Sequence, residues 1–211
     1  MFTYSQIESV DQVPRLETNL IVLEPLTEED APDVFAFTGH QAVTETVTWN
    51  GHRDVMDSRN YIQSTQSKIS FQQGHLFLVW GVREKKTNAL IGMISLTELA
   101  PIRAQLGYVF HYDHWKRSLP MESLLLVEDY VFQQFPEIER LQARCFPTNT
   151  ASRSFLEKMG MEFEGVNHSM MRVRGEVVDL TCYAMTRKRW NFIQQLLPNN
   201  RPWVEDGSEH I

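Results

Sequence analysis

Cysteine is scarce in this chain, and its two copies, Cys145 and Cys182, both fall inside strand-like segments rather than at the spacings of a disulfide framework. That excludes a small cross-linked secreted scaffold and makes a reduced, cytoplasmic setting the expectation. Buried cysteine ordinarily serves as a small hydrophobe, so neither residue is assigned a catalytic thiol. Long apolar runs are missing too. No span reaches the roughly 20 apolar residues of a membrane helix, and residues 1–13 have neither the basic cluster nor the apolar stretch of a signal peptide. No membrane partner is expected. Basic residues are the minority, 20 Lys and Arg against 27 Asp and Glu for a net charge of −7, and they form no dense stripe. Nucleic-acid binding draws much of its affinity from such stripes through counterion release, so that class is excluded. An acidic chain suits amine-bearing partners instead. What is present, 211 residues of which 42% are hydrophobic, suffices for the core of one substantial domain.

Period and punctuation give the order of elements. Residues 19–26 read as a strand, and Thr27-Glu28-Glu29-Asp30, with Pro32 just beyond, reads as the start of a helix reaching about Thr38. A long half-exposed helix is expected from Asp54 to Gln73, stopped by Gly74. Three β-rich runs follow, 75–82, 89–97 and 104–111, separated by the turns 85–88 and 100–103, and they predict an antiparallel meander. A helix over 119–135 is ended by Pro136, and a strand over 138–146 comes next. Asn149 then caps a helix to Met159. Gly160 supplies its left-handed end. Strands over 162–172 and 177–186 close the sheet around the turn Arg174-Gly175-Glu176. A short apolar helix over 190–197 precedes a loosely ordered tail. Strand, helix, strand in succession requires at least one parallel pair.

The run Arg144-Cys145-Phe146-Pro147-Thr148-Asn149-Thr150-Ala151-Ser152, followed by Leu156-Glu157-Lys158-Met159-Gly160-Met161, resembles the last conserved segment of the GNAT acetyltransferases. It is most similar to the branch that acetylates the N-termini of ribosomal proteins. The opening run over residues 20–31, Ile91-Gly92, Leu106-Gly107-Tyr108 and the hairpin from Arg174 to Asp179 resemble further parts of the family in the same order. The resemblance implies an α/β GNAT fold: a central, mixed but mostly antiparallel, twisted sheet of about seven strands with helices on both faces. It covers residues 16–190, leaving an N-terminal extension at 1–15 and a C-terminal helix and tail at 191–211.

The resemblance also implies acetyl-coenzyme A as co-substrate and direct attack of a neutral amine, from a protein N-terminus or a small molecule, on its thioester. In the family the strands equivalent to 104–111 and 138–146 splay apart around the pantothenate arm, which pairs with backbone near Val109, Phe110 and His111. The pyrophosphate sits on the next helix N-terminus, here Lys116, Arg117, Ser118, Leu119, Pro120 and Met121, where free N–H groups and the helix dipole favour an anion. Relatives carry glycines at Lys116, Ser118 and Pro120, and Pro120 removes a donor. Lys116 and Arg117 can offset this with charge-assisted bonds and Ser118 with its hydroxyl, or Ser118 simply caps the helix. Asn149 and Ser152 are expected on the opposite cofactor wall.

A backbone N–H around Phe110 and His111 is the family-like oxyanion donor. Gln105 stands where many relatives place a glutamate, and it can orient a water but cannot take a proton. Glu98, expected across the hairpin from Gln105, and His111 are the candidate bases. Leu156 occupies the place of the usual tyrosine acid, so the acid falls to Thr148, Ser152 or water. Trp49 resembles a residue bordering the acceptor, with core packing as the alternative. His111 and His114 lack the third protein ligand of a catalytic zinc, so no metal is expected. The alternative function is a GNAT-shaped binding module without turnover. Monomer and homodimer both stay open.

Overall fold

In a computed structural model of the chain, residues 13–68, 77–100 and 102–196 are described, apart from the side chains of residues 67, 68 and 98–100. Eight strands form one sheet: β1 (Leu16–Glu17), β2 (Ile21–Glu24), β3 (Phe77–Glu84), β4 (Leu90–Ala100), β5 (Arg103–Phe110), β6 (Arg140–Cys145), β7 (Glu162–Val173) and β8 (Glu176–Thr186). Their order is β1-β2-β3-β4-β5-β6-β8-β7. Every pairing is antiparallel except β5 with β6. The strand beyond the expected seven is the two-residue β1, too short to leave a periodic signal.

Among the described residues six α-helices accompany the sheet: α1 (Ala31–Thr38), α2 (Gln41–Thr44), α3 (Val55–Lys68), α4 (Ser118–Gln134), α5 (Thr150–Lys158) and α6 (Arg187–Leu196). The four-residue α2 was not expected from the sequence. Asp54 caps α3 by accepting from the Asp57 N–H at 2.8 Å. The stop expected at Gly74 lies outside the described residues. Arg117 rather than Ser118 occupies the N-cap of α4, and its side chain makes no capping bond. Pro120 falls in the first turn, where its missing N–H removes no helical bond.

The pleat sorts the core into two clusters. Leu78, Trp80 and Val82 of β3, with Ile94 and Leu96 of β4, pack in a cluster that includes Leu124, Val127 and Val131 of α4, Leu156 of α5 and Trp190 of α6. Val79, Met93 and Val109 point the other way, into a cluster with Val34 and Phe37 of α1, Val43 of α2 and Ile62 of α3. Helices therefore cover both faces. Val13 is buried in the first cluster, and Trp80 Nε1 donates to the Pro14 carbonyl at 2.8 Å. At the other end α6 runs through the expected boundary at residue 190, with Trp190 stacked on Phe132 and donating to Asp129 Oδ1 at 2.8 Å.

Two features position the site. Helix α5 ends in a complete Schellman motif: Gly160, at φ +89°, donates to Glu157 O at 3.0 Å, and Met161 donates to Leu156 O at 3.0 Å. Strands β5 and β6 pair only at Arg103–Arg140, Ala104–Leu141 and Gln105–Gln142, after which they separate. The second half of β5 thus faces an opening instead of a neighbour.

Candidate active site

The separation of β5 and β6 opens a cleft of about 550 Å3, within the ordinary range for small-molecule sites. Its lining brings together Trp49, Gln105, Val109, Phe110, Asn149 and Ser152 among the residues singled out from the sequence. Among the described residues it does not include His111 or any of residues 116–121.

Backbone direction along β5 follows from one bond. The His111 N–H donates to Ile91 O at 2.8 Å, which makes Gly92 and Phe110 a non-hydrogen-bonded pair. The N–H of Phe110, and that of Tyr108 two residues earlier, therefore points away from β4 and into the space β6 has left. Of the two expected oxyanion donors, Phe110 offers its N–H to the cleft and His111 does not. The His111 ring is also engaged elsewhere: Nδ1 accepts from the Asp113 N–H at 3.3 Å, and the ring stacks on Tyr112 at 4.4 Å.

The α5 wall is held by one bond within its own first turn and by two to distant segments. Asn149 Oδ1 accepts from the Ser152 N–H at 2.9 Å, while its Nδ2 donates across the cleft to Thr46 O at 3.3 Å. Tyr108 Oη and Ser152 Oγ lie 2.6 Å apart and join β5 to α5 below the opening. Burial pushes the Tyr108 phenol well above its usual range.

The opposite wall belongs to the α1–α3 face. Gln105 pairs with Thr97, and Ser95 with Gly107, on the same side of the sheet as Met93 and Val109. Glu98 is paired with Ala104, one step out of register with Gln105, so the expected position across the hairpin is corrected. A bulge between Glu98 and Ala100 follows it. Gly107 leaves the floor open, since a Cβ there would lie 2.6 Å from Ser95 Oγ.

His52 lines this wall between Trp49 and Tyr61, with ring centroids 5.6 and 5.5 Å away. Its Nδ1 lies 2.9 Å from Thr38 Oγ1 and 2.8 Å from Ser58 Oγ. The Thr38 hydroxyl donates to Val34 O at 2.8 Å, so it can only accept from the imidazole. With the ring hydrogen on Nδ1, Thr38 accepts from it and Nε2 keeps its lone pair. Burial lowers the His52 pKa below its ordinary value, opposed by the nearby Asp57 carboxylate. Burial therefore favours the neutral ring. Sequence reading missed His52, because Thr38 and Ser58 meet it only through the fold.

Among the described residues of the lining, Arg144, on β6, is the one that carries a formal charge, and none is a carboxylate. The expected phosphate loop lies outside. Lys116 and Arg117 are exposed, and Arg117 reaches Glu84 at 3.4 Å. Leu119, Pro120 and Met121 bury their side chains, so only their backbone is available to a ligand.

A family model described as "Acetyltransferase (GNAT) domain" matches residues 21–162. The chain therefore belongs to the GNAT acetyltransferases. It is 29% identical over 178 residues to the uncharacterized N-acetyltransferase YoaA of Bacillus subtilis, covering 83% of this chain and 98% of that one. A GNAT-family acetyltransferase from Bacillus anthracis superposes with a TM-score of 0.73 at 20% identity, covering 83% of this chain and 99% of that one. Mycobacterium smegmatis RimJ, solved in complex with CoA-disulfide, superposes with a TM-score of 0.72 at 17% identity, covering 84% and 89% respectively. The activity class is accordingly N-acetyltransferase.

Proposed function

We propose that the protein transfers an acetyl group from acetyl-coenzyme A to a primary amine held against the α1–α3 wall, with His52 as general base. The observation that carries this reading is the cleft itself, in which unpaired β5 N–H groups and a neutral, hydroxyl-anchored imidazole face one space. When bound, acetyl-coenzyme A supplies an activated acyl carbonyl. The backbone of Tyr108 and Phe110 along open β5 and the α5 start at Asn149 and Ser152 hold its acyl arm, while the Val109 backbone is paired with Met93 of β4. The first turn of α4, with Lys116 beside it, takes the pyrophosphate on the free N–H groups of Ser118 and Leu119.

His52 Nε2 removes a proton from the acceptor ammonium, releasing the lone pair for attack. Thr38 and Ser58 fix the ring and stabilise the positive charge it acquires. The Phe110 N–H donates to the carbonyl oxygen as that atom gains charge. The Tyr108–Ser152 hydroxyl pair supplies a proton to the departing sulfur. Gln105, unable to take a proton, orients the acceptor or a water.

The test has two readouts. Acetyl-coenzyme A at 100 times its dissociation constant should stabilise the fold by about 2.7 kcal/mol, and free thiol should appear only when an amine is added. Stabilisation without thiol release across an amine panel would instead support a GNAT-shaped binding module. The absence of both would reject the proposal.

A further inference from the structure

We infer that Arg144 selects the acceptor, and that the acceptor is an amine carrying its own carboxylate. The inference rests on the acetyl-transfer reading above and names the substrate class of the same cleft.

The position of Arg144 follows from register. Gln142 pairs with Gln105 across the last rung between β6 and β5, so the two share the α1–α3 face. Two residues further along β6, Arg144 shares it as well. It therefore stands on the wall with Trp49 and His52, away from the Tyr108–Ser152 bridge.

Its surroundings differ from those of the arginines that carboxylates hold. Arg53 is held by Asp57, Arg83 by Glu24 and Asp30, Arg140 by Glu164, and Arg189 by Glu162. Among the described residues Arg144 has no hydrogen bond or ion pair, and its Nε is buried without a partner. The Nη atoms carry no partner either and are open to the cleft. A buried donor without an acceptor is costly, and a guanidinium beside apolar walls binds a carboxylate through two parallel N–H bonds. Among the described residues the lining contributes no carboxylate, so a carboxylate on the ligand is the natural partner. The wall then offers a neutral base for the amine and a fixed cation for the acid group. This pairing fits an amino acid or an acidic N-terminal residue and disfavours a polyamine, whose extra positive charges would meet Arg144.

The experiment compares glycine, β-alanine, 4-aminobutyrate and an aspartate-first tripeptide, each against its neutral amide, in wild type, Arg144→Gln and Arg144→Lys. In the wild type at least one acid should exceed its amide by tenfold or more in kcat/KM. Arg144→Gln should erase that ratio while leaving the amide rate and the KM for acetyl-coenzyme A unchanged, and Arg144→Lys should keep part of it. Thermal stabilisation by the same pairs, in the presence of coenzyme A, reads selectivity without turnover. Acid-selective stabilisation lost in Arg144→Gln sustains the inference even if no thiol is released, a result that would reject only the acetyl-transfer reading. Equal response to acid and amide throughout, or no response to either, overturns it. So does a tenfold rise in the KM for acetyl-coenzyme A in Arg144→Gln with the acid-to-amide ratio intact, which would assign Arg144 to the cofactor phosphates.

Discussion

The two walls of the cleft are built by different means. On the α5 side, Asn149 reaches Ser152 three residues away, and Gly160 and Met161 close the helix with bonds back to Glu157 and Leu156. On the α1–α3 side, His52 depends on Thr38 fourteen residues earlier, and Arg144 shares the cleft with Gln105 and Trp49 only because β6 lies beside β5. The helix of the first wall is closed at both ends by local bonds, to which Tyr108 and Thr46 add long-range ties, and its sequence resembles the family. The second is assembled from distant segments and keeps an unsatisfied cation. If the proposed function holds, the capped α5 wall holds the cofactor, and the wall assembled over long range sets the base and the acceptor.

Substitutions that separate the walls test the difference. The largest effect is expected from His52→Gln, which retains hydrogen-bonding capacity but cannot take a proton. Turnover at pH 7 should fall about 10²–10³-fold, the scale of general-base catalysis, with the KM for acetyl-coenzyme A unchanged. Steady-state thiol release checks both. Next comes Tyr108→Phe, which breaks the 2.6 Å bond to Ser152 and removes the proposed proton source. A drop of about tenfold in kcat, measured by the same assay, is expected because water can partly replace a general acid.

On the cofactor wall the effects should be structural. Asn149→Ala removes the α5 cap and the tether to Thr46, costing about 1 kcal/mol and lowering Tm by about 2–4 °C for a chain of this size. Calorimetry measures the shift. The smallest effect is expected from Arg117→Ala. Its partner distance is 3.4 Å and its side chain is half exposed, so stability should change by less than about 1 kcal/mol. Lys116→Ala should weaken acetyl-coenzyme A binding more than Arg117→Ala does, because Lys116 is not committed to a described carboxylate. A binding titration separates the two.

Stability should also report on His52. Its folded pKa is depressed, so between that value and about 6.5 the unfolded chain binds more protons than the folded one. Stability therefore rises with pH through this window and is lost as pH falls through it. Denaturant titrations at pH 5 and 7 should show a smaller difference in His52→Gln than in the wild type.

Most of the fold was legible in the sequence because its signals are local. Asn149, Gly160, Pro136 and the Thr27–Asp30 start each act within one helical turn, and the meander follows from period-2 runs. Strand β1 and helix α2 escaped because two and four residues carry no period. The site was half legible. Trp49, Gln105, Phe110, Asn149 and Ser152 share the cleft, while Glu98 was misplaced by one register step and His111 spends its N–H on β4. A usable signal for Arg144 existed: Leu141, Ala143 and Cys145 alternate with Gln142 and Arg144, an unusual polar face for a central strand and thus a mark of a cleft. His52 had no such signal. Its tautomer depends on a threonine whose own proton is committed to Val34.

The central claim is that His52 is the base on the acceptor wall, and the pH dependence of kcat/KM in wild type and His52→Gln tests it most directly. The wild type should show a rising limb below about 6.5 in addition to the ionisation of an α-amine acceptor near 8, and the variant should retain only the latter. Identical limbs in the two proteins would contradict the account.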